Sequence, residues 1–247
     1  MKTFKSLGEA WLFGLREIMN HGEIISDNDV RVRDVSLNGL TPELSDYILN
    51  KNGNLVLKLK EIRGLHIKIK NVYHDEIIKK YADKERVQYT MKRCSCDCGE
   101  NGYGEFLRGK NNEKINFIVN KLKQNRNSKS AIIISPNEWA GNFGKAPCIT
   151  AIDFFIRDNK LLMYVLYRSQ NIFTKQPGNL LGLNQIHEEI AKAISVNKGS
   201  MELYVCSAHI YECDFGKVND ILKREKIYQE QNKKHRHQRI KNSTLNP

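Results

Sequence analysis

Residues 144–171 read GKAPCITAIDFFIRDNKLLMYVLYRSQN, with Cys148 near the start and Arg168, Ser169 and Asn171 at the end. Two apolar runs, from Ile149 and from Leu161, flank the turn-forming Asp158-Asn159-Lys160, a pattern that predicts a β-hairpin. Working outward, AIIIS from Ala131 predicts a buried strand and ELYVCSAHIY from Glu202 another. Leu55, Leu57 and Leu59 alternate with Val56, Lys58 and Lys60, the period of a further strand. Phe4, Leu7, Trp11, Leu15 and Ile18 recur at helical spacing, with Gly22 as a stop. Ile115, Ile118, Val119 and Leu122 form a second amphipathic pattern, and Leu183, Ile186, Ile190 and Ile194 a third. Hairpin-linked strands mixed with helices predict an α+β fold, a mixed sheet packed with helices.

The chain has 247 residues, 40% hydrophobic and 28% charged, enough to bury a full core. No apolar run approaches the ~18 residues of a membrane span. The amino terminus lacks a continuous apolar segment with a cleavage site, so no secretory leader is expected. Six cysteines without such a leader point to reduced thiols and a cytoplasmic protein. The net charge is +12, and residues 216–247 carry nine Lys/Arg against three Asp/Glu, half of that excess. This divides the chain into a body, 1–215, and a basic helix or tail, 216–247. No aromatics interleave the tail's charges for base stacking, so it reads as a solvated helix that frays beyond Gln231. The basic surface keeps a nucleic-acid-binding role open as a rival function.

Cys148 stands just before a core strand. A thiol there is by default an inert core residue, but the hairpin returns with Arg168 and Ser169 beside it. An arginine close to a thiol favours the thiolate and can hold a phosphate bidentately. Cys94, Cys96 and Cys98 alternate as on one face of a strand; they lack the usual zinc spacing and a fourth ligand, so no metal site is expected.

Pro147-Cys148, Arg168-Ser169 twenty residues after the cysteine, Pro177-x-Asn179 and His209-x-Tyr211 keep a joint register. Over Tyr103 to Phe215 this resembles the folate-dependent thymidylate synthase superfamily, which includes the pyrimidine nucleotide hydroxymethylases. YGEFLRG from Tyr103 and LKQNRNSKSAIIIS from Leu122 resemble further segments of that family. The resemblance implies that Cys148 attacks C6 of a pyrimidine nucleoside monophosphate, making C5 nucleophilic. It implies that Arg168 and Ser169 hold the phosphate, Asn179 the base edge, and His209 and Tyr211 the sugar. Tyr103 would order solvent near the C5 proton. Lys129 and Ser130 align with the family's arginine pair that crosses a homodimer to the partner's phosphate. The family packs its sheets back to back, and ITAIDFFI is apolar on both faces, as such packing requires. 5,10-Methylenetetrahydrofolate is the implied cofactor.

Departures from the family shape the expected outcome. Its phosphate loop is missing, with Arg31 and Arg33 the nearest substitutes, and Glu61 is the candidate for its cofactor-side glutamate. CSCDCGENGYG from Cys94 replaces a tryptophan-bearing loop. Asn171 stands where synthases carry aspartate, and Cys206-Ser207 where they carry Gly-Asp. The family's closing terminal segment is expected to be absent or replaced by the basic tail. Together these imply 5-hydroxymethylation, with CMP or dCMP as substrate by family analogy. The alternatives are reductive methylation of dUMP and a non-catalytic nucleotide- or nucleic-acid-binding relative.

Overall fold

The structure, a computed structural model, describes residues 1–30, 55–95, 103–134 and 147–228. It is a mixed α+β fold. The strands are β1 (Lys2–Ser6), β2 (Glu23–Val30), β3 (Leu55–Asn71), β4 (Ile132–Ile134), β5 (Ile149–Arg157), β6 (Lys160–Asn171) and β7 (Asn197–Tyr211). They form one sheet in the order β1-β3-β7-β6-β5-β4, with β2 also pairing β3. β1 runs parallel to β3 and β6 to β7, while the other neighbours are antiparallel. The helices are α1 (Leu7–His21), α2 (Glu76–Tyr81), α3 (Lys84–Ser95), α4 (Tyr103–Arg108), α5 (Glu113–Gln124) and α6 (Gln176–Ala193). A further helix, α7, spans 215–228.

The hairpin forms as expected. Asp158 and Asn159 both take positive φ (49° and 54°), the backbone of a two-residue turn matched to strand twist. Four expectations need correction. Phe4 belongs to β1, because Ser6 caps α1 by accepting from the Glu9 N–H and the helix starts at Leu7. The Pro177-Gly178-Asn179 turn is instead the first turn of α6, where proline's missing N–H costs nothing. Cys94 sits in α3 rather than in a strand, and Cys96 and Cys98 lie outside the described residues. β4 is an edge strand whose Ile134 is 60% exposed, so it is only half buried.

One face of the sheet is covered by helices. Trp11 of α1 is fully buried, and its indole N–H donates to the Ile172 carbonyl at 2.8 Å, tying α1 to the end of β6. α6 lies tightly on α3: a Cβ at Gly178 would meet the Thr90 Cβ at 2.6 Å, and one at Gly182 the Cys94 Cβ at 2.5 Å. Val218 and Ile221 of α7 are buried in the same core. The opposite face of the sheet stays open, with Leu166 39% and Tyr204 46% exposed. Phe155 packs edge-on to Tyr164 on that face. No helix among the described residues is long and apolar enough to cross a membrane.

Candidate active site

The site is assembled where β5 begins and β6 and β7 end. The Arg168 backbone N–H donates to the Cys148 carbonyl at 2.8 Å, which aligns the two strands at the thiol. The Arg168 guanidinium Nε donates to the Pro147 carbonyl at 3.1 Å, so this exposed side chain is anchored beside the cysteine. The half-buried Cys148 Sγ lies 3.7 Å from the Ser169 Oγ. Because side chains alternate along a strand, Tyr167, Ser169 and Asn171 share the face of β6 that meets Cys148.

Tyr103, at the start of α4, packs beside the thiol. Burial pushes its pKa well above the usual phenol range, and the neighbouring Cys148 and Tyr167 add to the shift. Its hydroxyl therefore stays protonated. Tyr167 is fully buried, and the Gln170 amide is the one polar side chain that interacts with its hydroxyl among the described residues. Burial raises its pKa too. Nearby, Gln176 donates to Gln170 at 3.3 Å, and Gln176 Oε1 is left without a partner among the described residues. Buried polar groups in this state are sites for ordered water.

Register brings the remaining groups together. Ser169 lies opposite Ser207 and Asn171 opposite His209 across the parallel β6–β7 pair. The His209 ring packs against Tyr211 with centroids 5.1 Å apart, and burial lowers its pKa so that it is neutral. Its Nδ1 faces the Ser207 carbonyl at 3.4 Å. The Asn171 Oδ1 accepts from the Thr174 N–H at 3.0 Å, while its buried Nδ2 has no partner among the described residues. Asn179, 5% exposed, is held by its backbone to Lys175; its side-chain amide makes no hydrogen bond among the described residues.

The structure thus gathers Cys148, Tyr103, Arg168, Ser169, Asn171, His209 and Tyr211. Lys129 stands apart, in the exposed turn between α5 and β4, beside a shallow polar cleft of about 380 Å³. Arg31 and Arg33 lie outside the described residues. Glu61, expected on the cofactor side, sits in β3 opposite His209, and the Ser207 hydroxyl donates to its carboxylate. Sequence reading missed Tyr167, Gln170 and Gln176. The period of β6 carried the signal for Tyr167, since it shares its face with Ser169.

A second feature begins where β6 ends. Phe173, which stacks on Trp11, and Thr174 line a groove of about 670 Å³ with Tyr81, Lys84, Arg86 and Arg224. The Thr174 hydroxyl is buried without a partner among the described residues, and the groove mixes aromatic rings with the cations Lys84, Arg86, Lys217 and Arg224 and the carboxylates Asp83, Glu85 and Asp220.

A family model described as "Thymidylate synthase" matches residues 28–245. A protein of Methanosarcina mazei named "Putative thymidylate synthase" is 30% identical over 231 residues, covering 89% of this chain and 93% of that one. A protein of the same name from Methanococcoides burtonii is 26% identical over 232 residues, with the same coverage. The "Thymidylate synthase" of Francisella philomiragia is 26% identical over 239 residues, 86% of each chain.

Proposed function

The chain belongs to the thymidylate synthase family, and from that premise we propose that it hydroxymethylates C5 of a pyrimidine nucleoside monophosphate, with cytidylate first. Cys148 adds to C6, and the ring then becomes nucleophilic at C5. Arg168 and Ser169 hold the phosphate, and the unengaged amide of Asn179 pairs with the base edge, either way round. The Tyr103 hydroxyl, kept protonated by burial, orders solvent at the C5 proton rather than acting as the base itself.

5,10-Methylenetetrahydrofolate, when bound, supplies the one-carbon unit. The groove beyond β6 would hold it: Tyr81 and Phe173 would offer faces for a flat ring system, and Lys84, Arg86, Lys217 and Arg224, interleaved there with Asp83, Glu85 and Asp220, would face its carboxylates.

The observation that carries hydroxymethylation is a cluster of buried polar groups: Asn171 Nδ2 and Thr174 Oγ1, without hydrogen-bond partners among the described residues, and the Tyr167 hydroxyl and Gln170 amide, which have only each other. They belong to the end of β6 and the turn after it, and they favour held water where hydride transfer needs water excluded. Water then adds at the exocyclic methylene of C5, and Cys148 departs from C6. The rival reading, reductive methylation, draws on the names of the relatives. Incubation with CMP, dCMP, UMP and dUMP plus the cofactor, read by mass, separates the two. A 5-hydroxymethyl product with tetrahydrofolate is expected; a 5-methyl product with stoichiometric dihydrofolate would restore the synthase reading.

Two further expectations follow from the same site. Arg168→Ala weakens nucleotide binding by about tenfold, the worth of a charge-assisted hydrogen bond, as titration calorimetry would measure. Unchanged affinity would remove Arg168 from the phosphate site. The open sheet face bearing Phe155, Tyr164, Leu166 and Tyr204 supports a homodimer packed sheet to sheet, with Lys129 crossing to the partner's phosphate. Light scattering should give twice the chain mass, and a fully active monomer would refute this.

A further inference from the structure

We infer that the sugar taken by this site is a ribose and that Glu61 reads its adjacent hydroxyls, an inference that rests on the site proposed above. Glu61, His209 and Asn171 stand in one row across β3, β7 and β6, each opposite the next. Ser207 lies in the adjoining row, and its hydroxyl donates to Glu61 Oε1, which fixes the carboxylate. The other carboxylate oxygen, Oε2, accepts no hydrogen bond among the described residues. Glu23, paired with Glu61 on the far side, does not share this role: both of its oxygens accept from Arg63 at 2.9 Å. Asn171, at the other end of the row and 6% exposed, leaves its buried Nδ2 donor without a partner among the described residues.

The row therefore offers a free anionic acceptor, a neutral imidazole and an amide donor beside Tyr211. A carboxylate accepts only, so it needs O–H groups from its ligand. A ribose presents two hydroxyls on neighbouring carbons, and carboxylates are a recurrent partner of the 2′-hydroxyl. A deoxyribose presents a methylene there, which cannot donate to the half-buried carboxylate. Sites built to bond a hydroxyl reject the analogue lacking it because the unpaired group is penalised. A hydrogen bond to a charged group corresponds to about a 10- to 100-fold preference.

The test is calorimetric titration of the full chain, and of Glu61→Gln, with CMP, dCMP, UMP and dUMP. The wild type should bind each ribonucleotide about 10- to 100-fold tighter than its deoxy counterpart. Glu61→Gln should shrink that ratio to within about threefold, chiefly by weakening the ribonucleotides. Equal wild-type affinities for CMP and dCMP, and for UMP and dUMP, would overturn this inference and leave the site reading intact. A uniform loss in Glu61→Gln, with the ratio kept, would also overturn it, since Glu61 would then act only by holding Ser207 and His209. Failure of all four nucleotides to bind would overturn the site reading and the inference together.

Discussion

Replacing Cys148 with serine should abolish exchange of the pyrimidine C5 hydrogen with solvent. Exchange reports the first step alone: addition of sulfur to C6 makes C5 basic, C5 takes a solvent deuteron, and reversal releases either hydrogen. No cofactor is needed, so mass spectrometry of the nucleotide in heavy water isolates the cysteine's role. A serine hydroxyl is far less nucleophilic at neutral pH, and loss of a covalent nucleophile costs about four orders of magnitude or more. The substitution should leave the fold intact, because Cys148 is only half buried and precedes β5 rather than filling the core. Nucleotide-induced thermal stabilisation should persist, since Arg168, Ser169 and Asn179 are untouched. Undiminished exchange in the serine variant, with that stabilisation retained, would remove Cys148 from the chemistry.

The hairpin that carries Cys148 was legible because two independent local signals agree, apolar runs of strand length and a turn whose residues tolerate positive φ. Errors arose where tertiary contacts decide. Phe4 falls three residues before Leu7, so its side chain mimics helical spacing, yet it packs from a strand against Phe13 at 4.9 Å. Pro177 and Gly178 look like turn punctuation in isolation. Their position in α6 makes sense only once Val87 and Thr90 of α3 are seen pressed against Gly178. The alternation around Cys94 suggested a strand, whereas that residue is buried in α3 and its thiol donates to the Asn179 carbonyl at 3.3 Å.

The site divides along the same line. Cys148, Arg168 and Ser169 are brought together by a hairpin, so their spacing in the chain is close to their spacing in the molecule. Glu61 and Ser207 are separated by 146 positions and meet only through the β3–β7 register. No local pattern contains that pairing. The same holds for the groove beyond β6, whose walls come from α2, α3, the turn after β6 and α7.

Asp214→Asn should stabilise the protein at neutral pH and leave it unchanged near pH 4. Asp214 lies in the short turn after β7, 1% exposed, with one carboxylate oxygen unpartnered among the described residues. Burial pushes its pKa from 3.8 up to about 6, with Lys217 and Arg86 offsetting only part of the shift. The sign follows from proton binding. Between those values the unfolded chain has already released the proton that the folded protein keeps, so stability falls as pH rises through the window. Two pKa units correspond to about 3 kcal/mol. His187 acts in the opposite sense. It is 1% exposed, its Nε2 donates to the Leu161 carbonyl at 2.8 Å, and burial lowers its pKa from 6.5 to about 4. As pH falls from 6.5 to 4 the unfolded chain takes up a proton that the folded protein refuses, so stability is lost on acidification, again by about 3 kcal/mol. The two slopes oppose each other over nearly the same range, and the wild-type profile should be almost flat between them. Asparagine at 214 removes one slope. Thermal unfolding from pH 4 to 7.5 should then show a gain over the wild type of about 6–12 °C at the upper end, for a chain of this size, shrinking towards zero at the lower end, where Asp214 becomes protonated in both the folded and the unfolded wild type. An equal gain at both ends would mean that the carboxyl does not titrate between 3.8 and 6 in the folded protein.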